Sequence, residues 1–276
     1  MRTGGSQGPS RSRVAARPSI LERMTLGLGR WFAVRLLLVL LFACAPTREA
    51  PSRTQTSAPP EPQPERSASS VPPPCSDAHV EDGGHCYAPP PGPPRGTLIF
   101  AHGLFFGDGE LDSRARVIER AHADGFGVLV VQGERGLCDW DPSMRDAVCW
   151  PIEARQRGRL RELAATWPLD ALPRPRVALG YSNGAFAVAA LASEGIVELE
   201  GWAVVGGGLR GELGANPSPA PWLLVAGEDD PHHRQTMDAL HRALLDAGRS
   251  HEHVSRPGGH ALVDADVDRA LTLVGR

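Results

Sequence analysis

Apolar positions along this chain fall into short blocks divided by polar, glycine- or proline-marked breaks, and from residue 96 the blocks alternate between two kinds. Thr97–Ala101 (TLIFA), Phe126–Val131 (FGVLVV), Val177–Leu179, Trp202–Val205 and Trp222–Ala226 are short, nearly continuous apolar runs, which predicts strands. Glu252–Ser255 is a weaker sixth. Between them the period lengthens to that of helices. Glu110–Ala123 carries Leu111, Ala115, Ile118 and Ala121 at helical spacing and stops at Gly125. Further helices are predicted from Pro151 to Trp167, Ala185 to Glu194, Pro231 to Ala247 and Ala261 to Val274. Gln132–Trp150 is predicted as a loop. Strands alternating with helices predict an α/β fold with a mostly parallel sheet of about six strands and helices on both faces.

The first 95 residues follow a different pattern. Leu36–Ala43 (LLLVLLFA) is an unbroken apolar run of eight behind Arg30 and Arg35. A membrane-spanning helix needs about 20 apolar residues, so a secretory leader over residues 1–44 fits better, with Met24 an attractive true start. Leu41-Phe42-Ala43-Cys44 resembles a bacterial lipobox, in which the chain is cut before a cysteine that is then acylated; Phe42 is larger than that pattern usually has. This resemblance implies a lipid anchor on Cys44 and a cell-envelope protein of the periplasm or outer membrane. An ordinary signal peptide with a chance cysteine would instead give a secreted protein. Residues 45–74 are rich in Pro, Ser, Thr, Glu and Arg and cannot bury enough apolar surface to fold, so they read as a spacer. Residues 75–95 read as a small disulfide loop with a proline-rich lead-in to a domain over 96–276.

Composition narrows the chemistry. The 276 residues contain 29 Arg and no Lys, which excludes Schiff-base catalysis and a P-loop lysine. The net charge is −3, and loss of residues 1–43 removes seven Arg and one Glu to leave −9, so nucleic acid is not an expected partner. With Cys44 set aside, Cys75, Cys86, Cys138 and Cys149 form two local pairs, each with ten residues between. Three connectivities are possible, and Cys75–Cys86 with Cys138–Cys149 is the favoured one. No Cys-x-x-Cys spacing occurs, and no metal site is expected from the cysteines or from His232, His233, His251 and His253.

The candidate chemistry lies at strand ends. Gly180-Tyr181-Ser182-Asn183-Gly184 matches G-x-S-x-G, a modest signal alone, but it joins a predicted strand directly to a predicted helix. Such a turn is sharp, needs the flanking glycines and presents the serine hydroxyl at a helix N-terminus. An acid and a base follow in order. Asp230 ends Gly227-Glu228-Asp229-Asp230, 48 residues after Ser182, and His260 follows Gly258-Gly259, 30 residues further on. Asp229 is the substitute for Asp230, which is also well placed to cap the next helix. Gly206–Gly211 matches G-x-G-x-x-G, but no helix opens after it, so dinucleotide binding is rejected.

From residue 96 to the C-terminus these motifs resemble the α/β-hydrolase superfamily, particularly its small esterases. The resemblance implies an α/β-hydrolase fold, Ser182 as nucleophile, His260 as general base and Asp230 as the acid that orients it. His102-Gly103-Leu104 resembles the family's oxyanion loop, which gives the Leu104 and Asn183 N–H groups that role and makes His102 structural. Only about 16 residues separate Val205 from Trp222, so no large cap domain is expected. No clear strand precedes Thr97, unlike in larger members. The implied reaction is cleavage of small or polymer-end carboxylic esters, with no cofactor. Phe105 (or Phe106) and Trp140, on the loop stapled by Cys138–Cys149, are expected as walls of the substrate cleft, the alternative being that Trp140 and Trp150 simply pack under a long loop. A serine peptidase or acyltransferase would use the same residues, and a binding lipoprotein on a hydrolase scaffold is the non-catalytic alternative.

Overall fold

The computed structural model describes residues 72–76, 80–107 and 109–275, within the unit Glu65–Arg276. The expected leader, its Cys44 and the spacer up to residue 71 lie outside the described residues. All six expected strands are present: β2 (Gly96–Ala101), β3 (Phe126–Val131), β6 (Arg176–Tyr181), β7 (Gly201–Val205), β8 (Trp222–Gly227) and β9 (His251–Arg256). They pair in parallel in the order β3-β2-β6-β7-β8-β9. A seventh strand, β1 (His85–Ala88), adds antiparallel to the free edge of β3, with Cys86 opposite Val130.

The Cys75–Cys86 disulfide is present as expected, and β1 corrects the expectation that no clear strand precedes Thr97. Cys86 and Ala88 alternate inward, and the Cys75–Cys86 disulfide holds the preceding segment against the strand. Even the end of the expected spacer takes part, since Tyr87 N–H donates to the Pro73 carbonyl at 2.9 Å.

Among the described residues five α-helices cover the sheet: α1 (Leu111–Ala123), α2 (Arg157–Ala164), α3 (Asn183–Glu194), α4 (Pro231–Asp246) and α5 (Asp264–Thr272). The strands point alternate side chains to opposite faces. Ile99, Leu129 and Ala178 pack with residues of α2, α3 and α4, whereas Leu98, Phe100 and Val128 pack with residues of α1 and α5. Helix α3 is buried on nearly every side, which suits its sequence of Ala, Val, Leu and Phe. Helix α2 is shorter than the expected Pro151–Trp167, because Glu153 and Gln156 cap a 3-10 turn first.

The expected loop Gln132–Trp150 contains a small ribbon, β4 (Glu134–Arg135) with β5 (Val148–Cys149), closed by the Cys138–Cys149 disulfide. Between β7 and β8 lies irregular chain with no helix, consistent with rejection of a dinucleotide fold.

Candidate active site

Ser182 stands where β6 passes into α3. Its backbone takes φ 54°, ψ −116°, and it is the non-glycine residue with positive φ among those described. Such a conformation costs on the order of 1–3 kcal/mol and persists only when neighbours enforce it. Two features here do so. The Ser182 N–H donates to the Val205 carbonyl at 2.9 Å. The glycines on either side let backbone approach backbone: a Cβ at Gly184 would stand 2.2 Å from the Ala101 carbonyl oxygen, and one at Gly180 2.4 Å from that of Gly184.

The other two candidate residues meet the serine. His260 Nε2 lies 2.8 Å from Ser182 Oγ, and His260 Nδ1 lies 2.7 Å from Asp230 Oδ2. Asp230 rather than Asp229 therefore makes the contact; Asp229 is exposed and its N–H donates to Gly258. Asp230 caps α4 at the same time, accepting from the His233 N–H at 3.4 Å. The acid and base loops are joined by Asp229 N–H to Gly258 and Glu228 N–H to Arg256. Arg256 also reaches the buried Asp266 at 3.1 Å and, more closely, the Ala261 carbonyl, so the base loop is braced on both sides.

The electrostatics favour a charged acid and a neutral scaffold. Burial alone would push the Asp230 carboxyl up, but hydrogen bonds from His233 and His260 outweigh it and hold it below the ordinary carboxylate range. Burial pushes His102 down to about 4, so it is neutral at pH 7. Its tautomer follows from its partners. The Gly133 N–H donates to Nε2 at 2.9 Å, so the ring proton sits on Nδ1, facing the Gly103 carbonyl. His102 is thus a brace of the loop, with both ring nitrogens engaged by backbone.

The remaining expected residues divide. Gly103 lies against the serine, since a Cβ there would stand 3.2 Å from Ser182 Cβ. The Leu104 side chain packs on the cluster of Cys138, Ala147 and Cys149. Asn183 is buried, and its Oδ1 accepts the Trp150 N–H at 2.6 Å. Phe105 is only 7% exposed. Its backbone pairs with Val148 and its ring stands edge-on to His102 at 4.7 Å, so it is turned into the fold rather than along an open wall. Phe106, beside it, is 48% exposed. Trp140 is 40% exposed on the stapled loop, and among the described residues no hydrogen bond or ring contact links it to Ser182, Asp230 or His260.

Two residues go beyond the sequence reading. Trp150 is fully buried and donates its indole N–H to the His102 carbonyl at 3.0 Å, so it ties the stapled loop to both the oxyanion-type loop and the serine turn. His233, expected to be solvated, bonds Asp230 Oδ1 through Nδ1 at 2.9 Å. The signal for it was the Asp230-to-His233 spacing, which spans the cap and third position of a helix. Asp230, His233 and His260 bring one ligand-type atom each to within 4.8 Å of one another. The two imidazoles, however, stack at 4.1 Å and 15°, each Nδ1 facing its own carboxylate oxygen. Nearly parallel rings, each with its Nδ1 aimed at its own carboxylate oxygen, suit two separate N–H···O hydrogen bonds better than one tetrahedral ion.

A parallel sheet with helices on both faces, one antiparallel edge strand and a serine held in a positive-φ turn between strand and helix define the α/β-hydrolase fold. Comparison with solved structures agrees. YahD, solved with malic acid, matches with a TM-score of 0.52 and 15% identity, covering 69% of this chain and 97% of that one. A carboxylesterase of Bacillus cereus matches with a TM-score of 0.51 and 20% identity, covering 70% and 93%. Esterase PE8 matches with a TM-score of 0.52 and 15% identity, covering 68% and 96%. No protein-family model and no curated protein sequence matches the chain.

Proposed function

We propose that this chain is an exported serine hydrolase that cleaves carboxylic esters through an acyl-enzyme. The observation that carries the reading is the continuous path from Ser182 Oγ to His260 Nε2 and from His260 Nδ1 to Asp230, starting at a strained, positive-φ serine. His260 takes the serine proton as Oγ attacks the acyl carbonyl and returns it to the leaving alcohol. Asp230 keeps the other ring proton on Nδ1 and stabilises the imidazolium. The N–H groups of Leu104 and Asn183 receive the oxyanion, a donation often worth about 3 kcal/mol each. Water then repeats the sequence and frees the acid. The names of two of the structural matches, a carboxylesterase and an esterase, favour esters as the substrate class.

Labelling of the full chain by a fluorophosphonate, beside Ser182→Ala, tests the reading. Labelling confined to the wild type supports it, and a folded, unlabelled wild type overturns it. Rates on matched ester, amide and acyl-acceptor substrates then separate esterase from peptidase and acyltransferase.

The two disulfides fit an oxidising compartment, and among the described residues no helix is long and apolar enough to cross a membrane. We further propose that a lipid on Cys44 is the anchor, a reading that rests on Leu41–Cys44. Cys44→Ser is expected to move the protein from the membrane fraction to the soluble one and to abolish incorporation of labelled palmitate. Retention of both in the variant would refute the anchor.

A further inference from the structure

We infer that His233 is a positioning residue for this site: a second imidazole that shares the Asp230 carboxylate with His260 and holds it in line for catalysis. This rests on the serine-hydrolase reading above. The geometry is specific. Asp230 Oδ2 faces His260 Nδ1 at 2.7 Å, and Oδ1 faces His233 Nδ1 at 2.9 Å. One carboxylate is thus divided between two imidazoles whose rings stack at 4.1 Å and 15°.

A carboxylate can only accept, so both Nδ1 atoms carry protons and both rings keep Nε2 as the remaining basic site. Asp230 is 7% exposed at its side chain, which leaves little water to satisfy an oxygen that lost its partner. With Oδ1 held by His233, the carboxylate cannot rotate about its own axis, and the Oδ2 bond that orients His260 is fixed in turn. The helix supplies the rigidity. His233 is the third residue of α4, and its carbonyl accepts the Thr236 hydroxyl at 2.9 Å while that hydroxyl also reaches the Gly207 carbonyl at 3.2 Å.

The stack adds an electrostatic consequence. Burial pushes the His233 imidazole below its ordinary range, with Asp230 opposing that shift and the neighbouring His260 reinforcing it. A neutral His233 donates to Asp230 without placing a positive charge against the imidazolium that His260 becomes. The groups facing it are Asp230 and His232 (ring centroid 5.0 Å away) at the start of its own helix, and His260 on the loop after β9. From α3 comes Phe186, at 6.1 Å, with the Arg210 guanidinium over its ring at 5.4 Å. Tyr181, at the end of β6, stacks on His260 at 5.2 Å.

The test uses the full chain with His233→Phe, which keeps a ring and removes the donor, and His233→Asn, which keeps a donor and removes the ring. With p-nitrophenyl acetate, His233→Phe is expected to lose about tenfold in kcat with little change in KM, the effect of one charge-assisted hydrogen bond. His233→Asn is expected to recover most of it. The acid limb of kcat/KM moves to higher pH in His233→Phe, because Asp230 no longer shares its charge and holds the proton on His260 more firmly. Unchanged kcat and an unmoved acid limb in a folded His233→Phe overturn the proposal, as does failure of a folded His233→Asn to restore rate. Proton NMR supplies a readout independent of turnover. The wild type is expected to show far-downfield Nδ1–H signals from both His233 and His260, beside that of the buried His102, and each variant to lose only the His233 signal. If the wild type is inert to fluorophosphonate yet shows this pattern, the hydrolase reading fails and the shared carboxylate stands. Absence of the His233 signal from the wild type, or its persistence in the variants, removes the shared carboxylate whatever the activity.

Discussion

Asn183 shows how much one residue can do beside Ser182. Its backbone is the first of α3, so its N–H is free of the helix ladder and points toward the helix entrance, where an oxyanion would sit. Its side chain faces the other way and accepts the Trp150 N–H at 2.6 Å inside the fold. Removing the acceptor strands a buried donor, which costs about 1–3 kcal/mol. Asn183→Ala is therefore expected to lower the free energy of urea unfolding by that amount and to slow ester cleavage, while Asn183→Asp keeps an acceptor and loses less stability. Equal midpoints for Asn183→Ala and wild type in urea unfolding would show that the bond does not hold the turn. Gly184 is constrained more tightly. A methyl group there meets backbone oxygens of Ala101 and His102 at 2.2 and 2.4 Å, and neither can rotate away. Overpacking of this kind costs about 1–3 kcal/mol, so Gly184→Ala is expected to lose stability in the same assay and fluorophosphonate labelling with it.

At the scale of elements, the site depends on loops that leave neighbouring parallel strands and are then bonded to one another. The loop after β2 carries a deeply buried titratable group, His102, and this gives a pH dependence with a definite sign. The unfolded chain takes up the histidine proton near 6.5, the folded protein only near 4. Between these values the unfolded state binds more protons, so stability falls as the pH is lowered, by about 3 kcal/mol over the full window. His85, His233 and His253 are also lowered and add to the slope, so the check is the difference between wild type and His102→Gln. The variant is expected to show a flatter dependence of the urea midpoint from pH 6.5 to 4; parallel curves would refute the assignment. The strand–turn–helix around Ser182 was legible in the sequence because each of its parts is dictated locally, by a short apolar run, two glycines and an alanine-rich helix. Asp230 and His260 were legible by order and by their position after strands. Strand β1 was not, because His85–Ala88 offers only two inward side chains and forms by borrowing the edge of β3 and a disulfide. His233 was not either: its role depends on the turn by which Asp230 caps α4, and only folding stacks it on His260. The pairing of Phe105 with Val148 was not legible either, because it is a contact across 43 residues of chain that no local pattern reveals.

For the molecule as a whole, the two disulfides close loops of the same length at places of unlike consequence. Each spans 11 residues, and the chain-entropy account gives each about 2–3 kcal/mol. Cys75–Cys86 secures β1, which is separated from β6 and its serine by β3 and β2. Cys138–Cys149 closes the β4–β5 ribbon, whose Val148 pairs with Phe105 and whose neighbour Trp150 bonds both Asn183 and His102. Loss of the first should therefore act on stability alone, and loss of the second on stability and rate together. The paired replacements Cys75→Ser with Cys86→Ser, and Cys138→Ser with Cys149→Ser, separate the two. Both pairs are expected to lower the urea midpoint by similar amounts, and the four-fold variant by nearly their sum, since no partner is shared. Only the ribbon variant is expected to lower kcat on p-nitrophenyl acetate while it is still folded, because its loop no longer steadies the groups around Ser182. A ribbon variant with wild-type kcat would mean that Trp150 holds the site without the disulfide; an edge variant with reduced kcat would mean that β1 reaches the site through the sheet.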